Sequence, residues 1–411
     1  MKTLAGIWLL CAALVAQQPG EKGGKPLVLH AARLLVVSGD PIDHGTLVIV
    51  DGKITAIGPR KSVPVPAGAE VRDLEESFVS PGFVDLHNHV SAGGGDINDM
   101  VHPINAELRT LDAVKPSAAM IKRAVAGGVT TTLFIPGSGT NLGGFGVLLK
   151  MVPDAFEKMV IRELGAMKVA QGFNPERGSG DLGSGRMGMS NLLTQALLRA
   201  KRYAQSWHEY EQGKGPKPER QADLEQLRQV MDKKVPVLIH TAGARDIVAT
   251  ARMFQDVFDL WMILSHGCFN GHWAAVACAK RQTPVNLGPR NYEFRDSKFI
   301  GMSKAYWDVG VRNMSLNTDA PVVAAEQLFL QGAMAVRLGL EYEPSLLAVT
   351  LVPARQVGIG DRVGSLEVGK DADLQVTRGD PLDPRFPPEQ VYIEGRLVYR
   401  RGPVHPRGDA K

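Results

Sequence analysis

Between residues 80 and 360, short apolar runs alternate with helical stretches, and this alternation constrains the fold more than any other feature. Val129–Ile135, Val235–Ile239, Leu260–Leu264 and Met314–Leu316 are brief and mostly apolar. Such runs suit strands of a parallel sheet buried on both faces. Helical patterns such as Leu192–Tyr203 and Leu224–Met231 lie between them. A (β/α)8 barrel, usually roughly 250 residues plus insertions, fits this length. The rival is a doubly wound open sheet, but no Gly-x-Gly-x-x-Gly turn follows an early strand.

The two ends read differently. Leu27–Leu29, Leu34–Val37, Thr46–Val50 and Lys53–Gly58 are β-rich, with Asp51-Gly52 as a hairpin turn between the last two. Asp373–Thr377, Val391–Ile393 and Arg396–Tyr399 repeat that style, with Glu394-Gly395 as the turn. Residues 27–79 and 361–403 are therefore expected to build one small sheet domain around a barrel of residues 80–360, followed by a tail of residues 404–411. At the start, Met1-Lys2 precedes the apolar run Leu4–Ala16 and a polar stretch. That pattern predicts a signal peptide over residues 1–16, a spacer over 17–26, and export to the periplasm or the exterior. The run is shorter than the roughly 20 residues that span a bilayer, so no stable membrane insertion is expected.

A formal charge of +4 over 411 residues, with no basic cluster interleaved with aromatics, argues against nucleic acid as a partner. Cys11 falls within the apolar run, and Cys268 and Cys278 alone make no disulfide framework; their pairing is left open, as is assembly into a homo-oligomer.

Polar residues cluster where the apolar runs end. His87-Asn88-His89 closes the first, His240 follows Ile239, His266 follows Leu264 after one serine, and Asp319 follows Leu316 by three positions. Alternate residues of a strand face the same way, so the His-x-His pair aims two imidazoles at one point. Strand carboxyl ends form the active face of a (β/α)8 barrel, where these residues would converge. Singly, His240 or His266 reads as an ordinary core or loop histidine. Together, neutral imidazoles and a carboxylate suit zinc or another divalent transition metal.

The runs Pro81–His89, Gly127–Thr132 and Gly364–Leu374 are similar to the amidohydrolase superfamily, in the imidazolonepropionase-like branch of metal-dependent hydrolases. The resemblance covers nearly all of residues 27–403. It implies a distorted (β/α)8 TIM barrel with a β-sandwich from both termini. It further implies that His87, His89, His240, His266 and Asp319 are metal ligands, with Asp319 also the catalytic proton shuttle. Many members bridge two metals with a carboxylated lysine of the fourth strand, for which Lys168 is the candidate; the alternative is a lysine that packs its stem and forms a salt bridge. A glutamate often precedes the following Asn-Pro pair in that family, where this chain has Phe173, so one ion or two are both open.

The expected function is hydrolysis of a non-peptide or cyclic amide C–N bond in a small amide-type substrate. The alternatives are a dipeptidase or prolidase-like peptidase of the same superfamily, and a binding scaffold that has lost catalysis. Arg186 and Arg245 are candidate anchors for an anionic substrate group. Gly137–Gly146 reads as a flexible or tightly turning loop, with a backbone cradle for a substrate carboxylate as the alternative. His272 reads as an outer partner of the site or an exposed residue, and Asp96 and Asp99 as solvated loop residues or a lining of the mouth.

Overall fold

The computed structural model describes residues 24–402 apart from 92–95, 154 and 177–184. The expected signal peptide lies outside the described residues. Among them, no helix is long and apolar enough to cross a membrane.

Among the described residues, seventeen strands form three sheets. The first holds seven, in the order β17-β16-β15-β4-β1-β2-β3, with β1 Leu27–Leu34, β2 Ile42–Val50, β3 Lys53–Pro59, β4 Glu70–Pro81, β15 Leu374–Thr377, β16 Gln390–Ile393 and β17 Arg396–Arg400. Both ends of the chain thus share one sheet, joined where β15 pairs antiparallel with β4. The pairing runs unbroken through all seven strands, so what is seen of the expected sandwich is a single continuous sheet. Leu29, Leu47, Ile54, Val79, Leu374 and Tyr392 form its apolar core.

The second sheet has eight strands in chain order around a barrel: β5 Phe83–Asn88, β6 Val129–Phe134, β7 Leu142–Lys150, β8 Val160–Ala170, β9 Val237–His240, β10 Met262–His266, β11 Val285–Leu287 and β14 Met314–Leu316. Backbone contacts close it: the His89 N–H donates to the Ala320 carbonyl at 2.9 Å, and the Val84 N–H to that of Val349 at 2.9 Å. The result is a TIM-barrel-like α/β fold. Its distortion is specific: β7 runs antiparallel to both β6 and β8. The β12–β13 hairpin, Tyr292–Arg295 with Lys298–Gly301, stands apart after β11.

Half of the segment read as a glycine loop is therefore strand. Gly144 has φ +106°, and a Cβ there would lie 2.5 Å from the Leu108 carbonyl oxygen. The glycines of β7 serve close backbone approach, not looseness. Gly82, between β4 and β5, is equally constrained, since a Cβ would lie 2.2 Å from the Thr130 side chain. That close contact carries the chain from terminal sheet into barrel. Phe83, Phe134, Phe145, Leu193 and Phe254 are fully buried in the main core, each worth about 1.5–3 kcal/mol of burial free energy.

Candidate metal centre

His87 lies on β5 and His89 one residue beyond it, Lys168 on β8, and His240 and His266 end β9 and β10. Asp319 lies in the turn after β14. The barrel brings all six together. Asp319 Oδ1 is 3.4 Å from His87 Nε2 and 3.5 Å from His89 Nε2, and Oδ2 is 4.0 Å from His266 Nε2. Lys168 Nζ is 3.0 Å from His87 Nε2. The rings of His240 and His266 meet edge-on with centroids 4.4 Å apart.

The outer nitrogens are tied down. His89 Nδ1 lies 2.8 Å from the Ile135 carbonyl oxygen and His266 Nδ1 2.8 Å from that of Gly288, so each donates its proton outward. His87 Nδ1 is 2.6 Å from Ser265 Oγ. That hydroxyl is 3.4 Å from Asn286 Oδ1, whose amide donates to Ser315 Oγ at 2.7 Å, which in turn donates to Gln356 Oε1 at 2.5 Å. This buried polar chain crosses the barrel from β5 to the helix Leu351–Gln356. When the Ser265 hydroxyl donates to Asn286, it accepts the His87 Nδ1 proton and leaves the Nε2 lone pair inward.

Among the described residues, His266 Nε2 and His240 Nδ1 are buried without a hydrogen-bond partner. Lone pairs orphaned together are costly unless a cation fills the space between them. Two ligand groups satisfy that geometry, His87 with His240 and His266, and His87 with His89 and Asp319; within each the donor atoms lie within 4.8 Å of one another. The donor set fits a divalent transition ion.

Electrostatics agree. Burial pushes the His87 and His240 imidazoles well below their ordinary range, and neighbouring cationic and imidazole groups add to it. His266 is lowered by burial against the opposing pull of Asp319. Burial would raise the Asp319 carboxyl, but the bond to His89 and the positive neighbours outweigh it and hold it low. Burial brings the Lys168 amine down to about 7, with Asp319 opposing. The His87, His240 and His266 imidazoles are neutral, the Asp319 carboxylate is ionised, and the Lys168 amine can be an uncharged nucleophile near neutral pH.

His266 and Asp319 have φ of +70° and +48°. Non-glycine residues in this region are uncommon and cluster where function over-determines the backbone. Asp85, which was not singled out in the sequence, explains how the Asp319 turn is held. It is 1% exposed, accepts the Thr318 hydroxyl at 2.6 Å and the His87 N–H at 3.2 Å, and so ties β5 to that turn. Neither this tether nor the Ser265 chain shows in the sequence, where each member is an ordinary polar residue near an apolar run.

The remaining candidates lie farther out. Arg186 pairs with Asp246 at 2.9 Å and Glu176 at 3.3 Å, whereas Arg245 is exposed just after β9. Phe173 is 58% exposed with its ring against Phe269, centroids 5.7 Å apart. Asp96 and Asp99 are exposed, and His272 is half-buried against Trp273. Cys268 and Cys278 are buried free thiols.

A barrel of this kind, with strand-end imidazoles and an aspartate after its last strand, matches the Amidohydrolase family model over residues 78–398. The chain belongs to the amidohydrolase family and is a hydrolase acting on carbon–nitrogen bonds. Its likeness to imidazolonepropionases places it in the branch resembling them. The one from Brucella anthropi is 25% identical, covering 86% of this chain and 90% of that protein. A protein from Hapsidospora irregularis named Amidohydrolase tasK is 26% identical over 92% of this chain, which spans only 44% of that protein's length. The crystal structure of an amidohydrolase from Thermotoga maritima MSB8 superposes with a TM-score of 0.82 at 30% identity, covering 91% of this chain and all of that one.

Proposed function

We propose that this chain hydrolyses a small non-peptide or cyclic amide, using a divalent ion held by His87, His89, His240, His266 and Asp319. The observation that carries the reading is the convergence of these donors on one buried space with His240 Nδ1 and His266 Nε2 left unpartnered. A divalent ion held there acidifies water and polarises a carbonyl oxygen. Asp319, ionised and within reach of three imidazoles, takes the proton of the attacking water and returns it to the leaving nitrogen. His87 is held in its inward-facing tautomer by Ser265 throughout. Lys168, buried and readily neutral, would add carbon dioxide at Nζ with loss of one N–H proton to solvent, giving a carbamate whose oxygens would be further anionic donors beside the two groups that share His87. That arrangement supports two ions. The similarity to imidazolonepropionases favours a cyclic amide.

Asp319→Asn tests the core of this reading. Turnover should fall by about 10²–10⁴-fold while elemental analysis still finds bound metal. The assay panel is cyclic amides, N-acyl amino acids and dipeptides. Near-normal turnover in the variant would remove Asp319 from the chemistry, and a wild type active on dipeptides alone would transfer the site to a peptidase.

A further inference from the structure

The segment that carries the chain out of β10 begins with His266 and has an unusual backbone. His266, Gly267, Phe269 and Asn270 have φ of +70°, +61°, +55° and +66°, so four of five consecutive residues are left-handed. Glycine takes that conformation freely, asparagine and histidine tolerate it, and a bulky residue such as phenylalanine resists it. Phe269 is also 36% exposed, so burial of its ring offsets little of that cost. Such a run persists only where the surrounding structure over-determines it.

Contacts at three points do so here. At the start, the Gly288 carbonyl accepts from His266 Nδ1 at 2.8 Å, and the Gly288 N–H donates to the His266 carbonyl at 3.2 Å. In the middle, the Tyr306 hydroxyl donates to the Gly267 carbonyl at 3.0 Å. Tyr306 is fully buried on the helix Met302–Asp308, and a Cβ on Gly267 or Gly271 would lie 3.1 or 3.0 Å from its hydroxyl oxygen. At the far end, the Asn270 N–H donates to the Glu293 carboxylate of β12 at 3.3 Å. The Glu293 side chain is 13% exposed, and Arg290 lies 3.7 Å from it. Two cation–ring contacts fasten the same end: Arg290 lies over the Phe269 ring at 5.0 Å, and Arg295 of β12 over the Trp273 ring at 4.6 Å. Tyr306 and Glu293 thus grip the backbone one and four residues past an imidazole whose Nε2 is buried and unpartnered among the described residues.

We propose that Tyr306 and Glu293 are positioning residues, which hold this left-handed segment and thereby aim His266 Nε2 into the metal centre. The inference rests on the metal site of the function proposed above, but it is read by zinc binding and not by turnover. Zinc affinity is measured by competition against a fluorescent chelator, and the thermal midpoint is measured on the metal-free protein. Glu293→Ala removes the acceptor at Asn270 and should weaken zinc binding about 10–100-fold, the scale seen when the outer support of a metal ligand is lost. Glu293→Gln keeps an oxygen that accepts the same N–H and should restore most of that affinity. Tyr306→Phe, which removes only the hydroxyl, should weaken zinc binding on the same scale. The metal-free midpoint of Glu293→Ala should not fall, because releasing the segment relieves backbone strain as it loses a hydrogen bond. If Tyr306→Phe does not fold, the two Glu293 variants decide. Wild-type zinc affinity in the folded variants, or a loss in Glu293→Ala that Glu293→Gln does not restore, would overturn the proposal. So would a metal-free midpoint of Glu293→Ala below that of the wild type, which would make Glu293 an ordinary contact of the fold. A wild type that binds no zinc would sink this inference together with the function above, whereas equal affinities would sink this inference alone.

Discussion

Ser265 shows how much a single hydroxyl controls at the centre of this barrel. It lies 2.6 Å from His87 Nδ1 and is fully buried. Ser265→Ala leaves the imidazole free to adopt the wrong tautomer, and metal affinity should fall about 10–100-fold, read by competition with a chromophoric chelator. Unchanged affinity would show that the ring is oriented by packing alone. Lys168 gives a second expectation at this scale. Its amine titrates near 7 in the folded, metal-free protein and at its ordinary value of 10.5 when unfolded. Between these values the unfolded chain binds the extra proton, so stability must rise with pH across that window. In urea titrations of metal-free protein at pH 7 and pH 9, the wild type should gain stability at the higher pH, and Lys168→Met should lose much of that gain. The four histidines and Asp319 were legible in the sequence as candidates because each lies at or shortly past the end of an apolar run. Asp85, Asn286, Ser315 and Gln356 were not, since their partners lie on strands remote in sequence.

β4 and β7 escaped a reading by pattern for opposite reasons. β4, with Glu70, Arg72, Asp73 and Glu76 among its residues, is too charged to look like a strand, yet it pairs with both β1 and β15. β7 is too rich in glycine, yet its glycines let its backbone pack against Leu108 and Phe134. β7 also ends in Lys150, which is 1% exposed and bridges Asp371 at 2.6 Å and Asp373 at 2.8 Å. Lys53 and Arg362 also pair with Asp371, so a barrel strand is locked to the segment leading into β15. Lys150→Met leaves two buried carboxylates without their shared cation. It should cost about 3–5 kcal/mol in urea denaturation. A loss below about 1 kcal/mol would class the cluster with solvent-screened surface pairs.

At the scale of the whole molecule, the candidate metal centre is assembled from four strands and one turn, so an ion held there would link its binding to barrel closure. An ion that binds only the folded chain adds roughly 4 kcal/mol at a thousand times its dissociation constant. Stripping the protein with a chelator should therefore lower the thermal midpoint by roughly 5–10 °C, with recovery on adding zinc. A midpoint insensitive to chelator and zinc would mean that no structural coupling exists. The sequence by itself determined the alternation of buried strands and helices, the sharing of one sheet by both termini, and the positions of four histidines and an aspartate. These are local signals of periodicity and strand ends. Only the tertiary structure decided that β7 runs antiparallel, and that Ser265 and Asp85 tie down His87 and the turn that carries Asp319. Those features depend on which residues meet across a closed barrel, and a hydrogen-bond partner tens or hundreds of positions away leaves no mark on local composition.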